Sequence, residues 1–117
     1  MAGTQGFEGP ARGTAAPSAV VWINGRQAVV AGTSDDGRVS TREITRGLMR
    51  EQPYLAEVVR AIGDRQRVLI LGPSSIRLAL ERDYVAMYRR PERLVDVEPA
   101  GPFVSDELVD RVHTLAA

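Results

Sequence analysis

The sequence predicts an α/β fold: a single mixed β-sheet, in the order β-β-β-α-β-α-β-α, with helices packed over it. Three observations predict it. Two β-branched runs, Val20-Val21-Trp22-Ile23 and Val29-Val30, flank an Asn24-Gly25 turn signal and read as a hairpin. Val68-Leu69-Ile70-Leu71 is apolar at every position, as a strand covered on both faces must be. Apolar residues recur at helical spacing on either side of that run and again near the C-terminus.

Each element follows from local chemistry. Residues 18–23 form the first strand, and Asn24-Gly25 suits a type I′ turn, whose two central residues take positive φ. Residues 27–33 return as the second strand, and Ser34-Asp35-Asp36-Gly37 turns the chain again. The third strand, 38–44, places Val39, Thr41 and Glu43 on one face and Ser40, Arg42 and Ile44 on the other. Neither face is cleanly apolar, so this strand belongs at an edge. Residues 45–52 fit no single pattern. Pro53 suits the first turn of a helix that buries Tyr54, Leu55, Val58, Val59 and Ile62 and closes at Gly63.

The strand at 68–71 runs into Gly72-Pro73-Ser74-Ser75. A second helix starts there, with Ile76, Leu80, Tyr84 and Met87 as its apolar face, and stops before Pro91. Residues 94–97 make the last strand. Ser105 caps a final helix with Asp106 and Glu107 in its first turn, where the dipole favours anions, and Leu108, Val109, Val112 and Leu115 as its buried stripe.

Length and composition bound the rest. A chain of 117 residues with 44% hydrophobic and 26% charged residues fits one domain with one ordinary core. The domain is expected at 18–117. Residues 1–17, rich in Gly, Ala, Thr and Pro with an isolated Phe7, read as a flexible tail. That tail lacks the basic cluster and apolar core of a secretory signal, and the chain has no apolar run long enough for a membrane span. Cysteine is absent, which removes disulfides, thiolate nucleophiles and Cys-based metal sites. A cytoplasmic protein without a cofactor or metal is the expectation.

Fifteen acidic residues balance fifteen basic ones, so the overall charge does not point to nucleic acid. Every basic residue is Arg. Planar guanidinium groups suit phosphate and carboxylate recognition, and an Arg-rich codon usage gives the same composition.

The candidate site begins at Gly72, Pro73, Ser74 and Ser75. A turn between a buried strand and a helix N-terminus is where α/β sheets place ligands, because free backbone N–H groups and the positive helix end hold anions. It is neither a Walker loop nor a dinucleotide fingerprint, which need more Gly. A capped structural turn, in which Pro starts the helix and Ser caps it, is the competing explanation. Arg77, one turn on, either reaches back to an anion, lies solvated, or pairs with Glu81.

Arg38, Arg42, Arg46 and Arg50 recur every fourth residue. They would form a stripe on a helix, but the strand assignment breaks it and leaves Arg42, Arg46 and Arg50 as candidate phosphate contacts. A second group, Arg82, Arg89, Arg90 and Arg93, lies near a helix end. His113 lacks a second ligand or an adjacent nucleophile, which argues against metal binding and catalysis. Trp22 either stacks on a base or anchors the hairpin as a half-buried side chain. No G-x-S-x-G or H-E-x-x-H motif occurs, so no enzymatic activity is expected.

Three stretches carry a family resemblance: Ala19-Val20-Val21-Trp22-Ile23-Asn24-Gly25-Arg26-Gln27-Ala28; Val68-Leu69-Ile70-Leu71-Gly72-Pro73-Ser74-Ser75-Ile76-Arg77; and Val95-Asp96-Val97-Glu98-Pro99 with Phe103-Val104-Ser105-Asp106-Glu107-Leu108. In order and spacing they resemble the C-terminal domain of archaeal and eukaryotic peptide-chain release factors and of Pelota. Small stand-alone bacterial relatives described as translational machinery proteins are similar in length. The resemblance implies a fold related to the kink-turn-binding ribosomal proteins and a docking role in translation.

The chain departs from the family where Ser74 replaces a frequent Gly and Arg77 a Lys. It departs again where Arg46 to Gln52 replaces a His-rich loop. No Gly-Gly-Gln occurs, so peptide release is not implied. The expected function is a non-enzymatic module contacting the ribosome, structured RNA or a translation factor. The alternatives are a small-anion or nucleotide-binding protein using the Gly72-Pro73 helix start, and a structural homo-oligomer paired through its edge strand. Neither DNA nor a membrane is an expected partner.

Overall fold

A computed structural model describes residues 17–34, 36–98 and 105–116. The expected tail, apart from Pro17, lies outside the described residues. The elements are β1 (Ser18–Ile23), β2 (Gln27–Thr33), β3 (Val39–Thr45), α1 (Glu51–Ile62), β4 (Arg67–Leu71), α2 (Ser74–Tyr88), a 3-10 turn (Pro91–Arg93), β5 (Leu94–Glu98) and α3 (Ser105–Ala116). Their order matches the sequence reading, with boundaries displaced by a residue or two. The five strands form one mixed sheet in the order β3-β2-β1-β4-β5. β1 pairs antiparallel with β2 and parallel with β4, and β4 pairs parallel with β5. β3 lies at the edge as expected, antiparallel to β2.

Side-chain alternation divides the core into two layers. Ala19, Val21 and Ile23 of β1, with Val68 and Ile70 of β4, face α1 and α2. Val20 and Trp22, with Leu69 and Leu71, face Leu108 and Val112 of α3. Helices therefore cover both faces of the sheet, and the continuous apolar runs of β1 and β4 are the sequence mark of that arrangement. Each fully buried Val, Leu or Ile contributes about 1.5–3 kcal/mol relative to exposure. Tyr54, Leu55, Val58, Val59 and Ile62 all turn inward from α1, as their spacing predicts. β3 is polar except for Val39, which packs on the α3 layer, and Ile44, buried in the other.

Four local expectations are corrected. The β1–β2 turn centres on Gly25-Arg26, not Asn24-Gly25, and neither Asn24 nor Gly25 has positive φ. Asn24 instead closes the turn through its side chain: Oδ1 accepts from the N–H of Arg26 at 2.8 Å and of Gln27 at 2.9 Å. An Asx-type bond of this kind supplies the reversal without a left-handed residue. Met87, expected in the core, is 56% exposed and lines an open surface pocket with Ala56 and Val59 of α1. Trp22, expected half-buried, is 4% exposed under α3, and its indole N–H has no hydrogen-bond partner among the described residues. Ser74 begins α2 and Pro73 precedes it with extended ψ, without a side-chain cap. The cap expected from Ser105 lies outside the described side chains.

Two tyrosines fasten α1 at its ends. Tyr54 donates to the carbonyl of Asn24 at 3.0 Å, and Tyr84 of α2 donates to the carbonyl of Gly63, the residue that ends α1, at 3.0 Å. At the far end of the sheet Ser18 N donates to Thr33 Oγ1 at 2.9 Å, holding the open end of the hairpin.

Two glycines make opposite predictions. Gly72 has φ +139°, and a Cβ there would overlap the carbonyl oxygen of Ile23. Gly72→Ala is expected to cost about 3 kcal/mol or more in a urea titration, since both partners are backbone. The nearest atoms a Cβ on Gly32 would meet belong to the guanidinium of Arg65, at 2.8 Å. Gly32→Ala is expected to cost less than about 1 kcal/mol, because the end of a long side chain can move aside.

Candidate functional site

The parallel register puts the end of β1, the exit of β4 and the start of α2 at one end of the sheet. The antiparallel hairpins bring the Gly25-Arg26 turn and the loop after β3 to the same end. Every loop that the sequence singled out for binding, except part of the β3 strand itself, therefore converges there.

Gly72 is buried against the end of β1, so its conformational freedom is used to let β4 leave the sheet across Ile23. Pro73 and Ser75 are exposed beside it, and the side chain of Ser74 lies outside the described set. Arg77 is only 9% exposed within α2, which removes the solvated alternative among those left open. Its backbone N–H closes the first turn of the helix on Pro73 O at 3.1 Å.

The four arginines at helical spacing do not form a stripe. Arg42 is exposed in mid-β3 opposite Val30, on the α1 side of the sheet. It stands about 10 Å from the end of its strand. Arg46 and Arg50 lie in the loop between β3 and α1, at the converging end. That loop and the Gly72 turn are three strand spacings apart, or about 14 Å, so they flank one surface rather than share one ligand.

Arg46 braces the loop. Its Nε donates to Met49 O at 2.7 Å and its Nη1 to Gly25 O at 3.2 Å. Its guanidinium carbon lies 5.8 Å from the Tyr54 ring centroid, over the ring face. Its backbone N–H donates to Arg26 O at 2.8 Å, and Met49 N–H returns to Arg46 O at 3.0 Å. One side chain thus ties the β3–α1 loop to the β1–β2 turn. Arg50 is exposed and occupies the N-cap of α1 without a side-chain capping bond. Between them, Gly47 takes φ +56° and Leu48 is fully exposed. Gly25, Arg26, Thr45, Arg46, Gly47, Leu48 and Met49 line an open groove of about 610 Å³.

Sequence reasoning missed Arg26, Leu48 and Met49. A Leu-Met pair inside an otherwise polar, Gly-containing loop was the available signal. The second arginine group is dispersed: Arg93 pairs with Asp64, Arg82 lies 3.6 Å from Asp83, and Arg89 ends α2 in a left-handed conformation. His113 is exposed on α3. Among the described residues no three acidic or histidine side chains gather as a metal site, and no helix is long and apolar enough to cross a membrane.

No protein-family model matches the sequence, and no curated protein matches it. Among solved structures the fold is similar to that of Pelota from Archaeoglobus fulgidus, a protein described for the plasticity between its domains. The TM-score is 0.62 at 14% identity, over 87% of this chain and 32% of that one. The chain thus spans about a third of the length of the Pelota chain, and at this identity the likeness is one of fold.

Burial pushes the Tyr54 hydroxyl up to about 12 from its ordinary value of 10.0, against a smaller opposing effect of Arg46. The folded state therefore keeps a proton that the unfolded chain has lost between these values. Stability from this group is complete below pH 10 and falls as pH rises towards 12. Urea midpoints measured from pH 9 to 12 are expected to decline, and Tyr54→Phe is expected to remove part of the decline. Burial raises Tyr84 as well, so it acts in the same direction.

Proposed function

We propose that this chain is a non-enzymatic binding module that docks on the translation machinery, at the ribosome or a translation factor, with the converging loop end of its sheet. The observation that carries this reading is the Pelota-like fold across 87% of the chain. Its direction comes from the placement of loops. The β1–β2 turn, the β3–α1 loop and the Gly72 turn form one face, and exposed Arg26 and Arg50 stand on it.

Self-assembly through the β3 edge is the weaker alternative. In an antiparallel pair that keeps corresponding faces together, the register joining the whole strand sets Arg42 opposite Arg42. Like charges directly opposite are destabilising, which is how edge strands avoid self-pairing.

Co-sedimentation with ribosomes from the same lysate, at low and high salt, tests the proposal. Wild type is expected to comigrate at low salt and to be released as salt rises. Arg50→Glu is expected to weaken comigration more than Arg42→Glu, because Arg42 stands back from the loop end. Protein at the top of the gradient under both conditions would overturn the reading. Arg77→Glu is unsuitable as a binding probe, since it reverses the charge at a buried position and strikes the fold.

A further inference from the structure

We infer that the β3–α1 loop is a preformed docking element for an acidic protein segment bearing apolar side chains, with Leu48 as its anchor. This deepens the docking reading above and rests on its choice of surface.

Two features of the loop run against local stability, and one occupant accounts for both. Leu48 is fully exposed, with half-buried Met49 beside it on the wall of the groove. Arg50 sits at the N-cap of α1, where Ser, Thr, Asp or Asn would bond the free N–H groups and where the positive helix end repels a cation. Arg26 and Arg46 add positive charge around the same groove. Nearby acids are few: Glu51 opens α1, and Glu43 lies on β3 opposite Val29, on the α3 side of the sheet. The rim is therefore basic and the centre apolar, and its complement is carboxylate around an apolar contact.

The loop is also held still. Arg46 bonds Met49 O and Gly25 O, Met49 N–H bonds Arg46 O, and Tyr54 fixes the adjoining turn through Asn24 O. An anchor fixed before contact loses little conformational freedom on binding. RNA is the less suitable occupant. Single-stranded RNA is gripped by aromatic stacking, but Trp22 is buried under α3 and Tyr54 is covered by Arg46.

The test uses an array of 12-residue peptides in which acidic content and apolar content vary independently, together with a ribosomal RNA hairpin as the competing probe. Wild type is expected to retain only peptides that combine several Asp or Glu with Leu or Phe. Leu48→Ser is expected to weaken that retention at least about tenfold. Arg50→Asp is expected to weaken it similarly while raising the urea midpoint, because Asp restores an N-cap. Loss of binding in a more stable protein cannot be misfolding.

Retention of acidic peptides regardless of apolar content, equal binding by Leu48→Ser, or no peptide retained would each overturn the inference. Preference for the RNA hairpin would overturn it too. Peptide binding without ribosome co-sedimentation would overturn the translation reading alone. Co-sedimentation indifferent to Leu48 would overturn this inference alone.

Discussion

Strand β1 has no solvent face. All six of its residues are buried, it hydrogen-bonds on both edges, and its side chains alternate between two helical layers. A strand so placed requires a helix above and a helix below, because an apolar face left open would forfeit the burial that offsets chain entropy. It also requires its neighbours to leave without obstruction. Gly72 meets that need: β4 exits across the carbonyl of Ile23 at a separation that leaves no room for a side chain. The turn that looks most like a ligand site in the sequence is thereby explained first as a consequence of how β1 and β4 pack.

The same geometry concentrates loops at one end of the sheet and leaves the opposite end to structural closure. There Ser18 with Thr33, and Tyr84 with Gly63, satisfy polar groups close to the core. At the loop end the polar arrangement is different in kind. Arg46 spends its guanidinium on backbone carbonyls and an aromatic ring, whereas Arg26 and Arg50 remain exposed. Arginine count alone would treat these residues alike. Only the bonding pattern separates the arginine that builds the surface from those that present it.

Natural sequences are locally consistent with their folds, and departures cluster where function is served. The β3–α1 loop holds two departures within three residues: an exposed leucine and a cation at a helix N-cap. By contrast, α1 itself follows its periodicity at every buried position. The contrast sets the loop apart from the rest of the fold, independent of any likeness to another fold.

Much of this was legible in the sequence. Val68 to Leu71 announced a strand covered on both sides, Tyr54 to Ile62 announced a helix, and the mixed polarity of β3 announced an edge, because period and burial are properties of short segments. Tertiary structure alone decided the rest. Arg77 became buried, Met87 exposed, and Leu48 an isolated knob, since these outcomes depend on which neighbouring element arrives over each residue. Whether a loop arginine braces or binds depends likewise on carbonyls that lie far away in the chain, such as Gly25 for Arg46. Local sequence determines which way a side chain can face; only packing between distant segments determines what, if anything, it meets.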